Sequence, residues 1–219
     1  MKSLVSPQFL QQIHAHPQWA FAQKICDTLS DKGFEAVLAG GCVRDAIMGR
    51  PAKDLDIATN ATPDEVEALF QSWNPVLVGK AFGVIVLPTS IGPIEVATFR
   101  KDGEYLDGRR PSSVEFSNLE QDALRRDFTV NALFFRPQTL EILDFVSGQE
   151  DLKAGVLRAV GEPKQRFDED ELRILRAIRF SGQLGFRIES ATYEAVTQKT
   201  AEILKRPSER RGEWVSRER

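Results

Sequence analysis

Asp54-Leu55-Asp56 sets two carboxylates two residues apart. On a β-strand residues i and i+2 share a face, so both acids project together while Leu55 and Ile57 turn toward a core. Two anions this close repel each other unless a cation lies between them. Hard oxygen ligands suit Mg²⁺, which commonly bridges protein carboxylates and nucleotide phosphates. Glu95, within Ile94-Glu95-Val96, is the natural third acid if that stretch is a neighbouring strand. The same Asp-x-Asp spacing also describes an ordinary solvated strand edge. Just upstream stands Gly40-Gly41-Cys42-Val43-Arg44-Asp45. Glycine lets the backbone approach an anion, a helix N-terminus offers free N–H groups, and Arg44, one turn inside, reaches a phosphate. A plain strand-to-helix turn would favour glycine too. Directly before a carboxylate pair, however, such a turn describes a site that holds a triphosphate over Mg²⁺.

Two later clusters carry complementary chemistry. In Leu124-Arg125-Arg126-Asp127-Phe128-Thr129-Val130-Asn131-Ala132, an arginine pair precedes alternating apolar and polar residues. This predicts the start of a strand whose arginine is fixed by its own carboxylate and can contact a triphosphate or ribose. Surface ion pairs, which are frequent and weak, have the same pattern. In Glu169-Asp170-Glu171-Leu172-Arg173-Ile174-Leu175-Arg176-Ala177-Ile178-Arg179-Phe180, Asp170 and Arg173 are neighbours if the stretch is one helix. Arg176 and Arg179 continue the row, and Ile174, Leu175 and Ile178 supply an apolar face. A carboxylate beside a guanidinium fork can read the Watson–Crick edge of a base, accepting from an amino group and donating to ring acceptors. A solvated face with helix-stabilising ion pairs is the plainer alternative.

The elements that must position these residues follow from periodicity. Residues 8–32 predict a helix stopped at Gly33, with shorter helices at Val43–Met48 and Pro63–Phe70, the latter N-capped by Thr62 with Glu65 at its third position. Strands are expected at Ala36–Ala39, Leu55–Ala58, Val76–Val78, Val84–Leu87, Ile94–Ala97, Asn131–Phe135 and Glu141–Phe145, with a hairpin turn at Gly92-Pro93. Residues 100–118 read as a mobile polar loop. After residue 150 only helices are expected, at Glu169–Gly182 and Ser190–Lys205. The fold class is therefore an α/β (α+β) head with a mixed sheet and flanking helices over 1–150, followed by an all-helical segment over 151–219.

Composition bounds the rest. With 42% hydrophobic and 28% charged residues in 219, the chain is ordinary globular material. It has no run of about 18 apolar residues that could span a membrane, and its start lacks the features of a signal peptide. Cys26 and Cys42 show neither CxxC spacing nor disulfide density, which predicts a reducing cytoplasm. His14 and His16 are expected to lie far from every polar constellation, which argues against zinc or histidine-base chemistry. Residues 1–149 carry net −5 and residues 150–219 net +2. A protein that neutralises many phosphates is usually more basic, so any nucleic-acid surface here must be local or lie elsewhere.

Taken in order, these stretches resemble the class II tRNA nucleotidyltransferase and bacterial poly(A) polymerase family. LAGGCVRDAIMGRPAKDLDIAT is similar to its first motif, RRDFTVNAL to its second, DFVSGQEDLKAGVLRAVG to its connecting region, EDELRILRAIRF to its fourth and PSERRGEW to the start of its fifth. The resemblance implies a nucleotidyltransferase head and a neck. Asp54 and Asp56 would bind catalytic Mg²⁺ ions, with Glu95 as a further catalytic acid. One metal would activate the 3′-hydroxyl of a primer and the other would hold the triphosphate and the departing pyrophosphate. Gly40, Gly41 and Arg44 would contact the nucleotide phosphates and Arg126 the nucleotide, while Asp127 and Asn131 would serve the sugar. Asp170 and Arg173 would select CTP and then ATP, and Arg176 and Arg179 would assist at the base and the phosphates. The implied partner is the 3′ end of a tRNA. Asp107–Phe116 is similar to the short loop of CCA-adding members, without the long insertion of poly(A) polymerases. Members of the family continue into helical body and tail domains, which this chain is expected to lack. A poly(A) or A-adding activity, or a nucleotide-binding head without turnover, are the alternatives.

Overall fold

The computed structural model describes residues 2–103, 105 and 113–205. Along the chain run β1 (Lys2–Leu4), α1 (Pro7–His14), α2 (Trp19–Asp31), β2 (Ala36–Ala39), α3 (Gly41–Ile47), β3 (Ile57–Thr59) and α4 (Pro63–Leu69). They are followed by β4 (Val84–Leu87), β5 (Ile94–Thr98), β6 (Arg100–Asp102), β7 (Val114–Phe116) and α5 (Leu119–Leu124). Then come β8 (Leu133–Arg136), β9 (Glu141–Asp144), α6 (Gly148–Ala154), β10 (Val156–Leu157), α7 (Pro163–Glu169), α8 (Leu172–Leu184), β11 (Arg187–Ile188) and α9 (Ser190–Leu204).

Seven strands form one mixed sheet in the order β1-β9-β8-β2-β3-β5-β4. The β3–β5 pair runs parallel, and the other neighbours run antiparallel. Side chains alternate between its faces as a pleated strand requires. Leu38, Ile57, Val96, Leu133 and Phe135 face the larger core, closed by Phe9 and Ile13 of α1, Ile25 and Leu29 of α2 and Val43 of α3. Val37, Ala39, Ala58, Phe134 and Leu143 face a smaller core with Phe99, Leu119, Ala132 and Val160. Phe167, Ile174, Ala195 and Ile203 of the last three helices belong to the larger core. The start of α4 is fixed as its residue types demand: Thr62 N–H donates to the Glu65 carboxylate at 2.7 Å and Glu65 N–H to Thr62 Oγ1 at 3.4 Å. Among the described residues no helix is long and apolar enough to cross a membrane.

Several expectations needed correction. The helix expected over 8–32 is two helices, because Pro17 falls between them and restricts both itself and the residue before it. Val76–Val78 forms no strand; only Val76 bridges Val86 of β4. The strand expected from Asn131 begins at Leu133, since Thr129–Asn131 closes a 3₁₀ turn. Part of the segment read as a mobile loop is the β6–β7 pair, held in register by Arg100↔Phe116 and Asp102↔Val114. After residue 150 the chain is mainly helical, but β10 and β11 form a two-stranded parallel pair. Strands of two residues leave no period to read. Residues 107–112 of the expected short loop and all of 207–214 lie outside the described residues.

Candidate active site

On the face of the sheet that bears the smaller core, Ala39, Ala58 and Ala97 present only methyl groups, and the space above them is a cleft of about 490 Å³. Gly40, Gly41 and Arg44 form one wall, and Asp56 and Glu95 form another. Arg126, Asp127 and Asn131 line it between α5 and β8, and Asp170, Arg173 and Arg176 line it around the start of α8. Asp54 and Arg179 are not part of this lining.

The carboxylates owe their placement to strand register. Leu55 and Ile57 are fully buried, which turns Asp54 and Asp56 to the opposite side. The regular strand starts only at Ile57, although the Ala39 N–H still donates to the Asp56 carbonyl at 3.0 Å. Pairing of Ile57 with Val96 puts Asp56 beside Glu95 on parallel strands. Burial, then the negative charges of Glu95 and Asp54, push the Asp56 carboxyl up to about 6, against the opposing pull of Arg126. Such a group is electrostatically starved of positive charge. Two facing carboxylates with hard oxygens therefore fit a divalent cation.

Asp54 departs from the expected trio. Its exposed carboxylate lies 3.5 Å from Lys53 Nζ and lines a neighbouring cavity with His16 and Gln18. No three acidic, histidine or cysteine side chains converge as a metal cluster among the described residues. His16 is also not remote from the polar constellations. Its Nδ1 accepts from the Gln18 N–H at 3.2 Å, which leaves Nε2 to donate to the Lys53 carbonyl at 3.3 Å, next to Asp54.

The arginines are held by partners other than those expected. Arg44, nearly buried in α3, donates to Asn131 Oδ1 at 2.6 Å and to Asp45 at 2.8 Å. Arg126 is not fixed by Asp127. It donates through Nε and Nη2 to Asp122 at 3.2 and 3.0 Å, and through Nη1 to the Asn131 carbonyl at 3.1 Å. Asp127 instead accepts from Arg176 Nε at 2.7 Å, and from the Phe128 N–H and Asn131 Nδ2 at 2.8 and 3.2 Å. The site thus depends on a tight turn at 127–131 rather than on a strand.

Gly40 has φ +74°, a conformation that L side chains rarely adopt. A Cβ there would also stand 2.8 Å from Arg126 Nη1. This is the close approach that the glycine pair makes room for.

Asp170 does not sit on the helix with Arg173. It lies extended between α7 and α8, and its Oδ1 accepts from the Leu172 N–H at 3.0 Å. The Arg173 guanidinium is instead paired with Glu169 at 2.7 Å and donates to the Arg166 carbonyl at 3.0 Å. Both Asp170 and Arg173 nevertheless line the cleft. Arg179 is exposed, with its guanidinium carbon 5.2 Å from the Phe180 ring centroid.

Three supporting residues escaped the sequence reading. Asp122 precedes Arg125 and Arg126 by three and four residues, a helical spacing that could have revealed it. Glu169 shows the same signal toward Arg173. Phe180 gave no signal, because an aromatic residue at the end of an apolar stripe reads as core.

The model of the poly A polymerase head domain matches residues 36–158. The chain is 46% identical over 190 residues to a CCA-adding enzyme of Leuconostoc mesenteroides, covering 86% of this chain and 47% of that protein. It is 44% identical over 190 residues to a CCA-adding enzyme of Staphylococcus epidermidis, with the same two coverages. The crystal structure of the Bacillus stearothermophilus CCA-adding enzyme in complex with CTP superposes with a TM-score of 0.76 at 35% identity, over 94% of this chain and 47% of that one. The Thermotoga maritima CCA-adding enzyme complexed with tRNA superposes with the same TM-score at 26% identity, over 96% of this chain and 49% of that one. The chain spans about half the length of the curated relatives it matches.

Proposed function

The chain belongs to the poly A polymerase head-domain family, and from that membership we propose that it is the catalytic head (1–150) and helical neck (151–219) of a template-independent RNA nucleotidyltransferase. The reaction is addition of C, C and A to the 3′ end of tRNA from CTP and ATP, with release of pyrophosphate, in the cytoplasm. The observation that carries this reading is that one cleft contains both halves of the chemistry. The acids Asp56 and Glu95 share about 490 Å³ with Asp170 and Arg173. A phosphate-transfer centre alone would not need the second pair, and a base-binding pocket alone would not need the first.

Bound at Asp56 and Glu95, with Asp54 at the margin, Mg²⁺ would supply charge neutralisation of the triphosphate and acidify the 3′-hydroxyl of the primer. The protein's own groups bind and orient. Gly40 and Gly41 let the phosphates come close to the backbone, and Arg44, held by Asn131 and Asp45, offers its fork to them. Arg126, anchored on Asp122, faces the nucleotide. Asp127 and Asn131 close the sugar side and hold Arg176 and Arg44 at fixed distances. Asp170 accepts from the amino group of the base and Arg173 donates to its ring acceptors. Because these groups stand pre-positioned by buried partners, little side-chain entropy remains to be lost on nucleotide binding.

The test is to supply all four nucleoside triphosphates with a tRNA that ends before CCA and to sequence the added 3′ nucleotides. Addition of CCA is expected, and Asp54→Ala with Asp56→Ala should abolish it. Addition of A alone, on any RNA, would reassign the chain to poly(A) synthesis. Nucleotide binding without incorporation would mark the 219 residues as a binding head that needs the portion its relatives have and this chain does not span. Incorporation that survives the double substitution would overturn the metal assignment.

A further inference from the structure

Phe180 is the one aromatic side chain in the cleft lining among the described residues. Three guanidinium carbons surround its ring, those of Arg44, Arg176 and Arg179 at 5.4, 5.3 and 5.2 Å from the centroid. Cations within about 6 Å of an aromatic centroid are attracted by its quadrupole. Three like charges around one ring also repel one another, so the cluster needs compensation. Arg44 has it from Asp45 at 2.8 Å and Arg176 from Asp127 at 2.5 Å. Arg179 has no acidic partner among the described residues, and its guanidinium lies over the ring. The ring also has an aromatic neighbour. Phe128, fully buried, meets it edge-on with centroids 6.0 Å apart and planes at 79°.

We propose that Phe180 is a positioning residue of the nucleotide site: its ring gathers Arg44, Arg176 and Arg179 into one cationic cradle for a polyphosphate. This rests on the nucleotide reading of the cleft and adds to it a residue that touches neither metal nor base. The ring is apolar, but what it organises is charge, so its removal weakens a ligand according to the phosphates that ligand carries.

The experiment measures Kd for CTP and CMP in Mg²⁺ buffer by calorimetry, with wild type, Phe180→Leu, Phe180→Tyr, Arg179→Gln and the Phe180→Leu/Arg179→Gln pair. Phe180→Leu should weaken CTP by about tenfold and CMP by less than about threefold, and Phe180→Tyr should restore CTP binding to near wild type. Arg179→Gln, on an exposed side chain, should leave the melting temperature unchanged and still weaken CTP. In the paired variant its effect should largely vanish, because the ring that places it is gone. Equal loss of CTP and CMP in Phe180→Leu would show the ring stacking on the base instead, and additive losses in the pair would show that it does not place Arg179. Either overturns the inference, as does unchanged CTP binding in both single variants. If Phe180→Leu does not fold, Phe180→Tyr and Arg179→Gln decide: a Tyr variant with lost CTP affinity or a Gln variant with full affinity overturns it. Failure of the wild type to bind CTP at all would overturn the nucleotide reading and this inference with it.

Discussion

Asp122→Asn tests how the cleft is kept in shape. The Asp122 carboxylate is 1% exposed and accepts from Arg125 at 2.8 and 2.6 Å and from Arg126 at 3.2 and 3.0 Å. Burial alone would push its carboxyl up, but the charges of Arg126 and Arg125 outweigh that and hold it below the usual range. Asparagine keeps the shape and removes the charge, leaving two guanidinium groups without their common anion. Breaking a buried pair typically costs about 3–5 kcal/mol. Both arginine side chains remain about one-fifth exposed, at 21% and 20%, so water recovers part of this and the expected loss is about 2–3 kcal/mol. For a chain of this size that lowers Tm by roughly 4–12 °C. Urea unfolding at neutral and acid pH measures it. A carboxyl depressed in the fold stabilises above its unfolded pKa of about 3.9, and that contribution fades as pH falls through the folded value. The gap between wild type and variant should therefore narrow on acidification. A gap below about 0.5 kcal/mol at pH 7, the scatter of ordinary surface substitutions, or one that widens in acid, would refute the reasoning. Nucleotide affinity should fall in parallel, since two of the three hydrogen bonds of Arg126 end on the Asp122 carboxylate.

Two further outcomes follow from the same geometry. Gly40→Ala must adopt φ +74° and place its Cβ 2.8 Å from an anchored Arg126 Nη1, for a loss of about 1–3 kcal/mol in urea unfolding. Gly41→Ala, whose Cβ would meet nothing nearer than Arg44 Nη2 at 3.7 Å, is the control and should cost far less. Asp56, raised to about 6, binds a proton in the folded state that the unfolded chain releases near pH 4, so wild-type stability should fall as pH rises from about 4 to about 6. Asp56→Asn should accordingly be the more stable protein in melts above pH 6 and lose that advantage below about pH 4; an advantage confined to acid pH would reverse the assignment.

What the sequence disclosed, and what it withheld, divide along a physical line. Ala36–Ala39, Val84–Leu87 and Ser190–Leu204 were legible because a buried strand or an amphipathic helix repeats its signal over several residues. The Thr62 cap was legible because capping is local chemistry. Residues Gly40, Arg44, Asp56, Arg126 and Asp170 could be named from their types, and the structure brings them to one cleft. Their partners could not be named. Pairing Arg126 with the adjacent Asp127 was the natural local choice, yet the fold pairs it with Asp122 and gives Asp127 to Arg176, 49 residues away. His16 likewise reaches Lys53 only through packing of the α1–α2 turn against the loop before β3. Residue type is written in the chain, whereas partnership is decided by tertiary contact.

The turn at 127–131 has a consequence for how the molecule is made. Three of the bonds that complete it reach far along the chain: 87 residues to Arg44, 49 to Arg176 and 22 to Asp151. Contacts of such separation form late, because their loops must close before any contact rewards the closure. On a chain synthesised from its N-terminus, the acids and the glycine turn emerge first and wait for α8. A nascent head therefore has Asp127 without its Arg176 partner, and the cleft acquires its finished charge pattern only when the last third has been released to fold.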